Sequence, residues 1–187
     1  LFRWRIYAFC SAYRVINRNI QSKRPHEAGM RTVGDDAPDF AAPCVSDETE
    51  PFRLSNRRDT GPVVLAFFPA VFSTTCTAEL CTFRDELAAF TDLNATVFGI
   101  STDLPYALSR FRAEHDLGFD LVSDNDGAII DAYDVVDEWE DITLSGVAQR
   151  AVFVIDTAGT IRYAWRADNP GQEPEYEAVV DAVESLS

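Results

Sequence analysis

The residues with the most reactive side chains in this sequence are two cysteines, Cys76 and Cys81, in the stretch FFPAVFSTTCTAELCTFRDE. A cysteine thiolate is a nucleophile, and its oxidation product, a sulfenic acid, condenses with a second thiol to form a disulfide. The chain has only four cysteines, and the other two are Cys10 and Cys44. Two cysteines so close together indicate redox chemistry, although a free cysteine is also common as a small buried apolar residue.

A helix is expected to carry both cysteines. Apolar residues recur at spacings of three and four after Cys76, which predicts a helix over residues 76–90 with the apolar stripe Leu80, Phe83, Leu87 and Phe90. The free N–H groups and the dipole at the start of a helix favour the thiolate form of a cysteine there. On such a helix Cys76 points toward the core and Cys81 points toward solvent.

The spacing of five residues does not suit a disulfide within an intact helix. The two Cα atoms would lie about 8.6 Å apart, whereas a disulfide tolerates about 7 Å at most. Two alternatives follow. Either the bond never forms, and Cys81 is a structural residue, or the first turns of the helix unwind after Cys76 has been oxidised, so that Cys81 can condense with it.

Strands and helices alternate along most of the chain and then give way to a hairpin and a last helix. Asp156 to Gly159 has the composition of the hairpin turn. We predict strands over residues 63–68, 95–101, 119–122, 151–155 and 161–165, and further helices over residues 104–115, 127–133 and 174–186. This order predicts an α/β protein with a thioredoxin-like fold, in which helices flank both faces of a central mixed β-sheet.

The charge of the chain is strongly negative and unevenly distributed. The formal net charge is -15, and residues 1–30 are basic, so residues 31–187 carry a net charge of -20. Such a surface repels nucleic acid. The single lysine, Lys23, indicates a protein of a salt-in halophile, because concentrated salt screens the self-repulsion of an acidic surface. An ordinary acidic surface is the alternative.

Residues 1–30 differ in character from the rest of the sequence. They are basic and aromatic, and Met30 is the only methionine. We interpret residues 1–30 as a leader that is disordered or does not belong to the native protein, and residues 31–187 as one domain. Apolar residues make up 47% of the sequence, but no apolar run approaches the roughly 18 residues that span a bilayer, so no membrane interaction is expected.

Four separate motifs resemble those of the peroxiredoxin family. Pro69-x-x-x-Ser73-x-x-Cys76 followed by Glu79 resembles the active-site signature of that family. The segments 34–40 and 149–156 resemble its N-terminal entry and the strand whose preceding arginine, here Arg150, completes the site. The cysteine spacing is similar to that of the Q-type (bacterioferritin-comigratory) subfamily, and the segment AVFSTTC also resembles one-cysteine relatives.

The resemblance implies a thiol-dependent peroxidase that reduces hydrogen peroxide and organic hydroperoxides. Cys76 is then the peroxidatic cysteine and Cys81 the candidate resolving cysteine, with Cys44 less suited to resolution. A thioredoxin-like protein would reduce the disulfide. If Cys81 does not resolve the sulfenic acid, a small-molecule thiol does so instead.

The resemblance also assigns roles to four neighbours of the cysteines. It implies that the Ser73 hydroxyl orients the peroxide and that Pro69 shields the pocket from water. It implies that Arg150 places a positive charge beside the sulfur. Glu79 either holds Arg150 or caps the helix.

Other chemistry finds little support in the sequence. There are two histidines, His26 and His115, and no Cys-x-x-Cys pair, so neither a metal site nor another cofactor is expected. A redox sensor or an oxidation-triggered holdase without turnover is the alternative to an enzyme. We expect a monomer or a homodimer, and a cytoplasmic location because reactive thiols need a reducing compartment.

Overall fold

The computed structural model describes residues 29–186. The predicted leader therefore lies outside the described residues, except for Gly29 and Met30. None of the described helices is long and apolar enough to cross a membrane.

In the part of the chain that the structure describes, seven strands form the main sheet and two more form a separate hairpin. In chain order the strands are β1 (Ala41–Val45), β2 (Thr49–Arg53), β3 (Val63–Phe67), β4 (Thr96–Ser101), β5 (Asp120–Ser123), β6 (Val136–Trp139), β7 (Leu144–Ala148), β8 (Ala151–Ile155) and β9 (Ile161–Arg166). The spatial order of the main sheet is β2-β1-β5-β4-β3-β8-β9, and β6 pairs with β7. Strands β3, β4 and β5 run parallel, while β1, β2, β8 and β9 pair antiparallel with their neighbours.

Helices cover both faces of the sheet. They are α1 (Thr74–Asp85), α2 (Leu87–Asp92), α3 (Pro105–Glu114), α4 (Ala128–Ala132) and α5 (Tyr176–Glu184). One apolar layer contains the buried side chains of α1, α2, α3 and α5, and a second contains those of α4. Every residue of β3 is buried, as expected of a central strand with both faces covered. The predicted α/β architecture is therefore confirmed.

Most predicted elements are present, with ends that coincide with the predicted ones or differ from them by one or two residues, and β8 matches its predicted range at both ends. The single helix predicted over residues 76–90 is wrong, because α1 begins at Thr74 and ends at Asp85, and α2 follows after Glu86. Strands β1, β2, β6 and β7 are absent from the predicted set. Prolines 43 and 51 lie opposite each other in the β1–β2 pair, and a bulge interrupts the β6–β7 pair, so neither hairpin has a regular strand pattern.

The glycine in the middle of β4 gives a test of this packing. A Cβ atom on Gly99 would lie 2.7 Å from Leu121 Cδ2 and 3.3 Å from Phe68 Cε1. We expect Gly99→Ala to lower the free energy of unfolding by about 1–3 kcal/mol through overpacking, as measured by denaturant titration. The control is Gly171→Ala, which adds a methyl group at an exposed loop position and should change stability by less than about 0.5 kcal/mol. An unchanged denaturant midpoint for Gly99→Ala would contradict the close packing of Gly99 against Leu121 and Phe68.

Candidate active site

Helix α1 begins five residues after Pro69, which lies two residues beyond the end of β3. Pro69 is buried, and Ser73 is the N-cap residue, with an extended backbone at φ -74° and ψ 148°. The Ser73 carbonyl accepts hydrogen bonds from the backbone N–H of Thr77 at 2.9 Å and from its hydroxyl at 2.8 Å. The Ser73 side chain makes no capping hydrogen bond. Its hydroxyl is therefore not used by the helix.

Cys76 is the third residue of α1, where backbone N–H groups have no acceptor within the helix. Only 1% of the residue is exposed, and its side chain packs in the apolar layer of α1, α3 and α5. The sequence-based expectation that Cys76 faces the core agrees with this position.

Arg150 reaches the same place from the other end of the sequence. Strand β8 pairs antiparallel with β3, with Ala151 opposite Phe67, so Arg150 lies beside the end of β3 that leads to α1. Its Nη2 atom lies 3.4 Å from Cys76 Sγ and donates a hydrogen bond of 3.0 Å to the carbonyl of Pro170. Its Nη1 atom donates to Glu79 Oε2. One planar guanidinium thus joins the cysteine, the glutamate and a loop.

Glu79 lies three residues after Cys76, on the same side of α1. It is fully buried, and burial raises the pKa of its carboxyl to about 8 although the positive charge of Arg150 opposes this shift. Of the two roles expected for Glu79, the geometry supports holding Arg150, since the carboxylate accepts the Nη1–H of that residue. Among the described residues, Glu79 Oε1 and Arg150 Nε are buried without a hydrogen-bond partner.

Arg150 remains a cation despite its burial. Burial by itself lowers the pKa of the Arg150 guanidinium, but the neighbouring Glu79 and Cys76 raise it above its usual value. The site therefore presents a permanent positive charge to the sulfur, held in one orientation by three different acceptors.

The remaining cysteines differ in their relation to Cys76. Cys81 is half-buried on the same uninterrupted helix, and within residues 29–186 both thiols are free. Cys44 belongs to the apolar layer on the opposite face of the sheet, and burial raises its pKa to about 12. This position makes Cys44 a poor partner for Cys76. Cys10 lies outside the described residues.

Sequence reasoning missed one functional contact, the carbonyl of Pro170, which holds Arg150. A main-chain acceptor leaves no side-chain pattern in a sequence, so no signal pointed to it. Within residues 29–186 no group of three or more His, Cys, Asp or Glu side chains is placed to hold a metal ion.

Comparison with known proteins gives the family of this chain. The family model for the AhpC/TSA family matches residues 33–164. The chain belongs to the AhpC/TSA family. Alkyl hydroperoxide reductase E of Mycobacterium bovis is 32% identical over 161 residues, which cover 84% of this chain and 99% of that protein.

Two further relatives of this AhpC/TSA protein are named as peroxiredoxins. The chloroplastic 2-cysteine peroxiredoxin of Chattonella marina var. antiqua is 36% identical over 140 residues, or 71% of this chain and 69% of that protein. The solved structure of a PrxQ mutant from Xylella fastidiosa has a TM-score of 0.74 and 26% identity, and covers 84% of this chain and 98% of that one. The chain is therefore a peroxiredoxin, and thus an oxidoreductase with a thioredoxin fold.

The pKa of Glu79 predicts how stability depends on pH. Because the folded chain binds this proton more tightly than the unfolded chain, Glu79 favours folding below about pH 4.3, and this contribution is lost as the pH rises through about 8. Replacing Glu79 with glutamine removes the titrating group at nearly constant shape. We therefore expect the free energy of unfolding of Glu79→Gln to fall less steeply than that of the wild type between pH 5 and pH 8.5.

Denaturant titrations at fixed molar salt measure this difference. Glu177→Gln is the matched control, because Glu177 is exposed in α5. Parallel pH profiles for wild type and Glu79→Gln would contradict the buried, proton-binding carboxyl described above.

Proposed function

We propose that this peroxiredoxin reduces hydroperoxides through a sulfenic acid on Cys76. The thiolate of Cys76 attacks one oxygen of the peroxide, the O–O bond breaks, and the other oxygen leaves as an alcohol or as water after taking up a proton. Sulfur is oxidised and the peroxide is reduced. The observation that supports this proposal is the 3.4 Å contact between Arg150 Nη2 and Cys76 Sγ, both of which belong to buried residues.

The neighbouring residues have roles that follow from their positions. Arg150 stabilises the thiolate and the negative charge that develops on the departing oxygen, and it does so among buried side chains that are shielded from water. Glu79 keeps the guanidinium in its orientation. In this proposal the Ser73 hydroxyl, which the helix does not use, orients the peroxide, and buried Pro69 limits the access of water.

Resolution by Cys81 is the second part of the proposal. Attack of the Cys81 thiol on the Cys76 sulfenic acid forms a disulfide and releases water. An intact α1 keeps the two Cα atoms about 8.6 Å apart, so the first turns must unwind before the bond can close. A thioredoxin-like protein then reduces the disulfide, as in the Q-type subfamily that this chain resembles.

This cycle needs a supply of reductant, so we place the protein in the cytoplasm. We also expect it to be a monomer or a homodimer. The acidic composition with one lysine supports a halophilic origin, and activity is best measured in molar salt, which screens the repulsion between surface carboxylates. A sensor or holdase on the same scaffold would also oxidise Cys76, but it would not turn over with a thiol reductant.

Replacement of Arg150 tests the charge beside the sulfur. Lysine retains a positive charge but cannot contact Cys76, Glu79 and Pro170 at the same time. We expect Arg150→Lys to slow the reaction of Cys76 with hydrogen peroxide about 100-fold, which corresponds to about 2.7 kcal/mol of transition-state stabilisation. Stopped-flow kinetics of the first turnover measure this rate. The control Arg162→Lys changes an arginine that pairs with Asp156 away from the site, and it should react like the wild type.

The mass of the oxidised protein tests the resolving step. After one equivalent of hydrogen peroxide and thiol trapping, we expect the wild type to lose two hydrogens, with Cys76 linked to Cys81 in the digest. Cys81→Ser should instead gain one oxygen on Cys76, while Cys44→Ser should behave as the wild type. If the wild type also retains one oxygen on Cys76, an external thiol resolves the sulfenic acid. If Cys76 is not modified at all, the peroxidase proposal fails.

A further inference from the structure

The segment between β3 and α1 is held by a side chain that is distant in the sequence. The backbone N–H of Val71 donates a hydrogen bond of 2.9 Å to Asp103 Oδ2, which follows β4. Val71 lies two residues before Ser73 and five before Cys76. A contact at Val71 therefore fixes the direction in which the chain enters α1.

Asp103 is itself fixed by two buried serines at the ends of β4 and β5. Ser101 Oγ donates to Asp103 Oδ2 at 3.0 Å and accepts from the Asp103 N–H at 3.2 Å. Ser123 Oγ donates to the Asp103 carbonyl at 2.7 Å. Ser101 and Ser123 are 0% and 2% exposed. The carboxylate that holds Val71 is thus anchored to the rigid end of the sheet.

The restrained segment has an unfavourable backbone conformation. Phe72 has φ +61°, in the left-handed region that bulky residues rarely occupy, and such a residue typically costs about 1–3 kcal/mol. Its side chain is 52% exposed, and its ring contacts Phe111 of α3 edge-on with centroids 5.2 Å apart. A segment in this conformation persists only when its surroundings hold it, and the Val71–Asp103 bond is one of the restraints.

We propose that Asp103 is a positioning residue that holds the start of α1 in the form that reacts with peroxide. Asp103 acts through Val71 and does not touch the reacting atoms. While the bond is intact, Cys76 stays beside Arg150. When it is broken, the strained segment relaxes, Cys76 leaves the guanidinium more often, and the unwinding that disulfide formation requires becomes easier. The expected effect of Asp103 on catalysis rests on the proposed peroxidase cycle, whereas its restraint on the start of α1 does not.

The structural consequence is measured first, by amide hydrogen exchange in the reduced protein. Asp103→Ala removes the acceptor, so we expect the amides of residues 70–77 to exchange about tenfold faster, with little change in α5. Asp103→Asn keeps a carbonyl oxygen that accepts the same bonds, and it should exchange nearly as slowly as the wild type. Asp92→Ala, at an exposed position in α2, is the control.

The catalytic consequence is a change in the ratio between the rate of sulfenic acid formation and the rate of disulfide formation. In Asp103→Ala we expect sulfenic acid formation to slow about tenfold while disulfide formation is as fast as in the wild type or faster, with both rates largely restored in Asp103→Asn. General destabilisation would instead slow both steps together. Unchanged exchange in residues 70–77, or equal losses for Asp103→Ala and Asp103→Asn, overturns the positioning role. A wild type that never oxidises Cys76 refutes the peroxidase proposal alone, since the exchange measurement still decides the role of Asp103.

Discussion

A guanidinium with almost no exposure to water, shared between the sulfur of Cys76 and the carboxylate of Glu79, is the constraint on which the rest of this structure depends. Removing Glu79 or Cys76 would leave the buried guanidinium short of a hydrogen-bond acceptor, which typically costs about 1–3 kcal/mol, and more for a charged group. Arg150, Glu79 and Cys76 therefore stabilise one another. Cys76 is thus part of a structural cluster and cannot be altered without affecting that cluster.

Two strands and one helix bring Arg150, Glu79 and Cys76 together. The antiparallel register of β3 and β8 brings Arg150 to the end of β3, and the helical spacing of three residues brings Glu79 to the side of α1 that carries Cys76. The carbonyl of Pro170 accepts a hydrogen bond from Arg150 Nη2, so this buried N–H group has an acceptor. The desolvation cost of burying the Arg150 charge is offset in part by these hydrogen bonds, which the pairing of β3 with β8 makes possible.

The sequence predicts the architecture well where patterns are regular. The continuous apolar runs of β3 and β8 and the apolar stripe of α5 are clear signals, and the motif around Cys76 identifies the family. Other features depend on contacts that no local pattern records. The break at Glu86 has no proline or glycine to mark it, the Pro170 carbonyl is invisible in a list of side chains, and the Val71–Asp103 bond joins residues 32 positions apart. The roles of Ser73 and Pro69 remain predictions.

The register of β3 and β8 also imposes an order of events during biosynthesis. Cys76 and Arg150 are 74 positions apart, and their contact exists only after β8 has paired with β3. Contacts between distant segments of a chain form late, because a long loop must close first. A nascent chain that has passed residue 76 but not residue 150 carries this cysteine without its cationic partner. The arginine is therefore placed beside the sulfur only after β8 has joined β3 in the sheet, so this thiol–guanidinium pair is confined to the folded chain.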